Sequence, residues 1–252
     1  MNLSDYRKKI VLENLRSSFP EKTEEEIQSI RKSFFKYLCD LVVETFKTLR
    51  MTEAEYNQRC IFQNPDWLIK LREEKRSIII VMGHYGNWEW AGPSLTLTTK
   101  FQLVVIYRPL SNTYFEKMMV GMRTKFGTKI TPVSQTLRDM VANRRSVTAT
   151  ALLADQYPAS GSAYWANFLN QDTGFFTGPE KLSSKFDYPV VYIHVRRKKR
   201  GYYEVTPELL FESPKETNEG EITESYIKRL QADIIGDPST WLWSHRRWKN
   251  KR

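Results

Sequence analysis

The most regular hydrophobic pattern in the chain is a helical stripe near its beginning. Thr23 and Glu26 have the spacing of a capping box, in which each side chain accepts a hydrogen bond from the backbone N–H of the other residue. A helix is therefore predicted from about residue 23 to about residue 49. One face of this helix carries apolar residues that are mostly three or four positions apart: Phe34, Leu38, Leu41, Val42, Phe46 and Leu49. We expect this face to pack on the core, with contact to a membrane as the alternative.

Downstream, short apolar runs alternate with segments of helical periodicity. The run at 77–82 is continuous and rich in β-branched residues, which is typical of a strand covered on both faces. Further strands are predicted at 101–107, 147–153, 189–195 and 202–206, the last two joined by a hairpin. Helices are predicted from residue 88 onward and at about 112–126, 134–143, 178–185 and 223–235.

This alternation predicts the fold class. Strands that alternate with helices favour one α/β domain with a mixed, mostly parallel sheet flanked by helices. We expect the single domain to span residues 1–252. Its parts would be an N-terminal helical part at 1–50, a sheet core with the functional site at 76–210, and a C-terminal helix with a basic, aromatic tail at 222–252.

Three of the predicted strands end in polar side chains. His84 and Glu89 follow the first strand, Arg108 follows the second, and Asp155 and Gln156 follow the third. Ligands gather at the carboxyl ends of strands in open α/β sheets, so we expect these residues to converge on one edge. Of the three histidines, His84 alone lies in a glycine-flanked turn between a strand and a helix, where its imidazole would be accessible.

A histidine with a nearby carboxylate suits general base catalysis. A neutral imidazole takes a proton, and a carboxylate holds its tautomer and stabilises the imidazolium. A structural hydrogen bond between His84 and Glu89 is the alternative. The sequence has no G-x-S-x-G elbow, phosphate loop or dinucleotide motif, and one histidine without a nearby cysteine is too little for a metal site. We therefore expect no cofactor and no metal, with a metal-dependent hydrolase as a rival interpretation.

Composition and charge add an expectation about partners. The chain has 39 lysines and arginines against 29 acidic residues, a net charge of +10. Such a charge favours nucleic acid, an anionic membrane, or an acidic protein or phosphorylated substrate. The longest apolar run, at 78–82, is far shorter than the roughly 20 residues that cross a bilayer. Two cysteines cannot build a disulfide framework, which favours a reducing, cytoplasm-facing setting.

Two basic segments are candidates for contact with an anionic partner. Residues 196–200 form the tip of the predicted hairpin, and residues 241–249 interleave tryptophans with basic side chains. Tryptophan beside arginine or lysine suits anionic headgroups or single-stranded nucleic acid. The alternatives are a solvated turn for the first segment and tryptophans docked on the domain for the second. A nucleic-acid-binding module is the rival function that both segments would support.

Several motifs, in one order along the chain, resemble those of a known family. The stretch from Gly83 to Glu89 reads G-H-Y-G-N-W-E and matches an H-x4-[DE] signature. The other landmarks are Asn14-Leu15 with Phe19-Pro20-Glu21, Tyr107-Arg108-Pro109 with Asn112, Arg123 before Phe126-Gly127, Ala154-Asp155-Gln156, Phe175-Phe176-Thr177-Gly178, and Trp243-x-His245-Arg246-Arg247-Trp248. Together they resemble the late acyltransferases of lipid A biosynthesis, the lauroyl and myristoyl transferases, within the glycerolipid acyltransferase-like superfamily. The resemblance extends over nearly the whole chain.

The resemblance implies a reaction and a set of site residues. His84 would be the general base and Glu89 its orienting acid. The substrate-binding residues would be Arg123, Asp155, Arg108 and Asn112. An acyl chain would move from an acyl-carrier-protein thioester to a hydroxyl of a lipid A precursor, and both the acidic carrier protein and the phosphorylated glycolipid acceptor suit a basic chain. Nucleic acid would then be no partner. A different glycolipid or an aminolipid acceptor is the alternative.

The resemblance also implies a membrane location. Family members carry an N-terminal hydrophobic helix ahead of the segment that Asn14 opens, whereas 13 residues precede Asn14 here. We expect either that an anchoring segment has been removed or that this member holds the membrane by surface contacts. In both cases the expected location is the cytoplasmic face of the bacterial inner membrane, next to an anionic membrane surface.

Overall fold

The computed structural model describes residues 7–156 and 163–249, in which seven strands form one mixed sheet and two more form a separate hairpin. In chain order the strands are β1 (Cys60–Phe62), β2 (Ile78–Met82), β3 (Gln102–Tyr107), β4 (Lys129–Pro132), β5 (Thr148–Leu153), β6 (Ala163–Phe168), β7 (Gln171–Phe176), β8 (Val190–Lys199) and β9 (Tyr202–Phe211). The sheet order is β1-β9-β8-β2-β5-β3-β4, and β6 pairs with β7. Each neighbouring pair in the large sheet is parallel except β8 with β9. The predicted fold class is confirmed.

Helices connect and cover these strands. They are α1 (Lys8–Ser18), α2 (Glu24–Lys47), α3 (Glu53–Arg59), α4 (Asp66–Glu73), α5 (Trp88–Thr99), α6 (Thr113–Thr124), α7 (Thr136–Ala142), α8 (Gly178–Phe186) and α9 (Glu221–Gly236). Short 3-10 turns lie at Val133–Gln135, Pro214–Glu216 and Pro238–Thr240. In the described residues, no helix is long and apolar enough to cross a bilayer.

The predicted strands and helices are present, but several further elements were not predicted individually. These are α1, α3, α4, β1, β4 and the β6–β7 hairpin. Strands β1 and β4 have three and four residues, which is too short to show a periodicity. Strand β8 also runs to Lys199, so residues 196–199 belong to the strand and the turn lies at Arg200 and Gly201.

The central strand β2 shows how the sheet separates two cores. Ile78, Ile80 and Met82 face a cluster that includes side chains of α3, α4 and α5. Val81 faces the opposite cluster, which is built largely from α1, α2, α9 and the hairpin. Alternate residues of a strand point to opposite faces, so a continuous apolar run is what a strand covered on both sides requires.

The long helix α2 buries only part of the predicted stripe. Its capping box is present, with Glu26 N 3.3 Å from Thr23 Oγ1 and Thr23 N 2.8 Å from Glu26 Oε2. Phe34 and Leu41 are buried as expected. The prediction is wrong for the second half of the stripe, where the exposed residues are Val42, Phe46 and Leu49, at 42–50%. The buried side there carries Tyr37, Asp40, Glu44 and Thr48 instead, because polar partners elsewhere in the fold hold these residues.

Candidate active site

Two glycines shape the turn that carries His84. A Cβ atom on Gly83 would lie 2.7 Å from Leu230 of α9 and 3.3 Å from a carboxylate oxygen of Asp155. Gly86 has a φ of +59°, and a Cβ there would lie 2.2 Å from the carbonyl oxygen of Val195. Glycine is therefore required at both positions, for close approach at the first and for backbone conformation and space at the second. The turn can seat His84 tightly at the end of β2.

The imidazole of His84 is held by Asp155. Strands β2 and β5 are parallel neighbours, with Met82 opposite Leu153, so the residues that follow each strand meet at one edge. Nδ1 of His84 lies 2.6 Å from Oδ1 of Asp155, and the backbone N–H of His84 donates to Oδ2 at 2.8 Å. Burial acts to raise the pKa of Asp155, but the charge of His84 and its hydrogen bonds outweigh burial and lower the pKa to about 2. Asp155 is therefore an ionised, buried carboxylate.

The predicted contact between His84 and Glu89 is wrong. Glu89 lies in the first turn of α5, and its carboxylate accepts from Arg123 of α6 at 3.0 Å from Nε and 2.6 Å from Nη2. A bidentate pair of this kind is geometrically specific and strong. The carboxylate that orients the imidazole is Asp155, and Glu89 positions Arg123 instead. The catalytic role of Glu89 stays a prediction.

The other predicted site residues divide into two groups. Arg108 is exposed and lines the same cavity as His84, Glu89 and Arg123. Asn112 is not among the lining residues, because its side chain caps α6 by accepting from the backbone N–H of Phe115 at 3.0 Å. The structure thus brings five of the six predicted site residues to one edge, with Asp155 buried behind His84.

A cavity of about 380 Å³ opens beside His84. The polar side chains among its lining residues include His84, Glu89, Tyr107, Arg108, Arg123, Thr128 and Gln156. Its depth is apolar and lies between α5 and the sheet, where the lining includes Ile80, Met82, Ala91, Gly92, Leu95, Leu103, Val105, Ala151 and Leu153. Such a space, polar at one end and hydrocarbon-like within, matches a substrate with a reactive head and an apolar chain.

Two neighbours complete the surroundings of the imidazole. The ring of Trp88 meets the ring of His84 edge-on, with centroids 5.0 Å apart. The amide nitrogen of Gln156 lies 3.4 Å from Nε2 of His84. Because Nδ1 faces the ionised Asp155, the proton of the neutral ring belongs on Nδ1, which leaves a lone pair on Nε2.

The C-terminal tail is part of this site. The indole N–H of Trp241 donates to Oδ2 of Asp155 at 2.9 Å. The backbone N–H of Leu242 donates to His84 O at 3.1 Å, and that of Gly86 donates to Thr240 O at 3.0 Å. The tail therefore fastens both the turn and the carboxylate. Sequence reasoning missed this role, since nothing local to Trp241 indicates Asp155 as its partner.

The alternative of tryptophans docked on the domain is confirmed for the tail. Trp241 and Trp243 are 2% and 0% exposed. Arg247 is 1% exposed, donates to Gly174 O at 2.7 Å and lies over the ring of Phe175. The interpretation of these side chains as contacts for headgroups or nucleic acid is wrong, because they pack inside the protein.

Most basic side chains of the hairpin at residues 196–200 form ion pairs with acidic residues of the same chain. Arg197 and Arg200 lie 2.5 Å and 2.7 Å from carboxylate oxygens of Asp40 in α2. Arg196 and Lys198 pair with Glu204 on the neighbouring strand at 2.7 Å and 3.2 Å. Acidic partners within the fold thus offset the positive charge that the sequence pattern emphasised.

Helix α2, like the tail, holds the turn that carries His84 in place. Glu44, 6% exposed, accepts from the side-chain amide of Asn87 at 2.8 Å and from the hydroxyl of Tyr203 at 2.7 Å. Asn87 in turn caps α5. The hydroxyl of Tyr37 donates to the carbonyl oxygen of Gly86. Polar residues at helical spacing on one side of α2 were the available signal.

Fold and site together define a class of enzyme. An α/β sheet presents an imidazole, held by a buried carboxylate, at the opening of an apolar cavity. Among the described residues, no group of three or more histidine, cysteine or acidic side chains is placed to hold a metal ion. A positioned base beside a space for a hydrocarbon chain suits attack of a hydroxyl on a bound acyl group. This is the chemistry of an acyltransferase.

Comparison with known proteins identifies the family. The model of the bacterial lipid A biosynthesis acyltransferases matches residues 1–250, so the chain belongs to that family and is an acyltransferase. It is similar to the lipid A biosynthesis palmitoleoyltransferase of Escherichia coli (strain K12), with 24% identity over 249 residues, 97% of this chain and 79% of the relative. The lipid A biosynthesis acyltransferase of Shigella flexneri matches to the same extent. The predicted resemblance is confirmed, and the family implies an acyl donor and a lipid A-type acceptor.

Proposed function

We propose that this enzyme transfers a fatty acyl chain from the thioester of acyl carrier protein to a hydroxyl of a phosphorylated lipid A precursor. The observation that carries the proposal is the His84–Asp155 pair at the opening of the apolar cavity. A cavity of about 380 Å³ falls within the range of small-molecule sites, about 300–1,000 Å³. Burial stabilises a hydrocarbon chain by about 0.8 kcal/mol for each methylene group.

In the proposed mechanism, Nε2 of His84 removes the proton from the acceptor hydroxyl. The hydroxyl oxygen attacks the thioester carbonyl and forms a tetrahedral intermediate. The carbon–sulfur bond then breaks, and the imidazolium returns its proton to the departing thiolate of the carrier. Asp155 stays ionised throughout. Its carboxylate keeps a proton on Nδ1 of His84 and stabilises the ring when the ring is positively charged.

Two groups beside His84 have different parts in this scheme. Gln156 has an amide nitrogen 3.4 Å from Nε2, and in this scheme the amide donates to the developing oxyanion. Arg123 is neutralised by its bidentate contact with Glu89, so it acts with Glu89 as a rigid wall of the site. Arg108, exposed at the opening, is the better candidate for the acceptor phosphate.

The proposed location is the cytoplasmic face of the bacterial inner membrane. The support is the net charge of +10, which suits an anionic lipid surface and an acidic carrier protein.

The test is a transfer assay with the purified chain. Acyl carrier proteins with chains of different length are offered with a panel of acceptors: a lipid A precursor, another glycolipid and an aminolipid. Mass spectrometry identifies the products, and His84→Ala serves as the inactive control. We expect an acylated lipid A precursor. Transfer exclusively to another acceptor, or from a donor other than the carrier thioester, would overturn the corresponding half of the proposal.

A further inference from the structure

Exposed apolar side chains adjoin the cavity opening on two sides. We call them the rim: Leu110, Tyr114, Phe115, Val133, Leu137 and Val141. Their exposed fractions run from 39% at Val133 to 88% at Tyr114. Leu110 and Val133 line the cavity itself, so the apolar surface outside is continuous with the apolar interior. Exposed apolar residues grouped near the opening of an apolar cavity favour this surface as an interaction site.

The fold explains why these residues lie together. Strands β3 and β4 are parallel neighbours, with Tyr107 opposite Pro132, so the chain leaves both strands at the same edge of the sheet. From one strand it reaches Leu110 and the start of α6, and from the other it enters the 3-10 turn at Val133 and then α7.

The segment from Val133 through α7 carries its own apolar stripe. Val133, Leu137 and Val141 recur every four residues and are exposed, whereas Thr136 and Met140 are buried against the protein. A short helix that buries one face and leaves a second apolar face uncovered has a place for an outside partner.

Charge identifies the partner. Residues 108–145 contain eight lysines and arginines against two acidic residues. With Arg123 paired to Glu89, which lies outside this segment, a net charge of +5 remains, half of the +10 of the whole chain. Among these basic residues, Arg138 has 75% of its side chain exposed, and Arg108 is exposed at the opening. Apolar side chains set among basic ones match the interface of an anionic bilayer, where hydrocarbon and negative headgroups meet.

We propose that the rim docks this enzyme on an anionic membrane, with the cavity opening against the lipid. An acceptor would then reach His84 without leaving the bilayer. The part of this proposal that concerns the acceptor rests on the proposed function; the docking itself does not. The buried tryptophans of the tail cannot serve this purpose, whereas the rim lies where a lipid would enter.

The test compares two triple variants in co-sedimentation with vesicles of phosphatidylcholine and phosphatidylglycerol. The rim variant is Tyr114→Ser with Phe115→Ser and Leu137→Ser, none of which lines the cavity. The matched control is Ile61→Ser with Leu209→Ser and Ile235→Ser, which are 48%, 41% and 58% exposed on β1, β9 and α9. We expect the rim variant to lose vesicle binding by at least about tenfold and the control to match wild type. Thermal melts verify that both variants fold.

Transfer assays then separate this proposal from the proposed function. With acceptor dispersed in detergent, the rim variant should retain wild-type turnover, and with acceptor embedded in vesicles it should lose most of it. Unchanged vesicle binding in the rim variant, or equal loss in the control, overturns the docking proposal. So does a raised KM for the acyl carrier protein with unchanged vesicle binding, since the rim would then bind that protein. Wild type that binds vesicles through the rim yet acylates no lipid would refute the proposed function alone.

Discussion

The substitution Asp155→Asn tests the assignment of the imidazole's partner. Asparagine has nearly the same shape, and its side-chain oxygen can still accept from the backbone N–H of His84 or the indole of Trp241. An amide N–H next to Nδ1, however, forces the neutral imidazole to carry its proton on Nε2. The base would then present a proton to the acceptor hydroxyl instead of a lone pair.

The expected loss of turnover is large and the expected loss of stability is modest. Reversal of the tautomer in a histidine–aspartate pair costs on the order of 10⁴ in kcat. The pKa of Asp155 is about 2 in the folded protein against an ordinary value of 3.8, which corresponds to roughly 2 kcal/mol of folding stability. For a chain of this size that is a fall in Tm of roughly 4–8 °C.

The sign of the pH dependence follows from the direction of the pKa shift. A carboxyl whose pKa is lowered on folding stabilises the protein above its unfolded pKa, and the stabilisation disappears as pH falls toward the folded pKa. The stability difference between wild type and Asp155→Asn should therefore be full above about pH 4 and should shrink between pH 4 and pH 2.

The chain offers a matched control for this substitution. Asp233, also buried, lies 2.8 Å from Nδ1 of His194 and accepts from the hydroxyl of Tyr192 at 2.7 Å, but neither Asp233 nor His194 lines the cavity. Asp233→Asn should lower Tm and leave kcat within a few fold of wild type. The assay is steady-state transfer together with thermal melts. Folded Asp155→Asn with turnover within about tenfold of wild type, or equal loss of turnover in Asp233→Asn, would refute the reasoning.

Three further predictions concern the same site. Glu89→Ala and Arg123→Ala should each reduce kcat/KM, because each single change leaves a half-buried charge without its partner. The double variant should be little worse than either, and simply additive losses would show that the pair does not act as a unit. The reaction should be sequential, with no burst of free carrier protein when the acceptor is omitted; a trapped acyl adduct on serine, threonine or cysteine that passes its chain to the acceptor would contradict a direct attack. Gly92→Leu should shift the products toward shorter acyl chains, because Gly92 lines the cavity and a Cβ there already lies 3.2 Å from Leu103; an unchanged product distribution by mass spectrometry would place the chain elsewhere.

Local pattern predicted the framework of this protein. The apolar run of β2, the capping box of α2 and the alternation of strands with helices depend on neighbours in sequence, and the structure confirms them. The glycine-flanked turn at a strand end likewise pointed to His84, which the structure places at the cavity; its catalytic role stays a prediction. Elements of three or four residues such as β1 and β4 were missed, since pairing with neighbouring strands and not periodicity defines them.

The partners of each polar group were decided by the tertiary structure. His84 and Glu89 are five residues apart, yet the imidazole bonds to Asp155, which is 71 residues away, because β2 and β5 are adjacent in the sheet. Arg123 donates to Glu89. Trp241 donates to Oδ2 of Asp155, the same oxygen that accepts from the backbone N–H of His84. The tail was predicted as a basic, aromatic surface, but Trp241 and Trp243 are buried and Trp248 is partly buried against the core. Residue types and short-range spacing determine which side chains are able to do chemistry, whereas the order of strands and the docking of distant segments determine which of them meet. A hydrogen bond extends about 3 Å, so its partner is set by the arrangement of the whole fold.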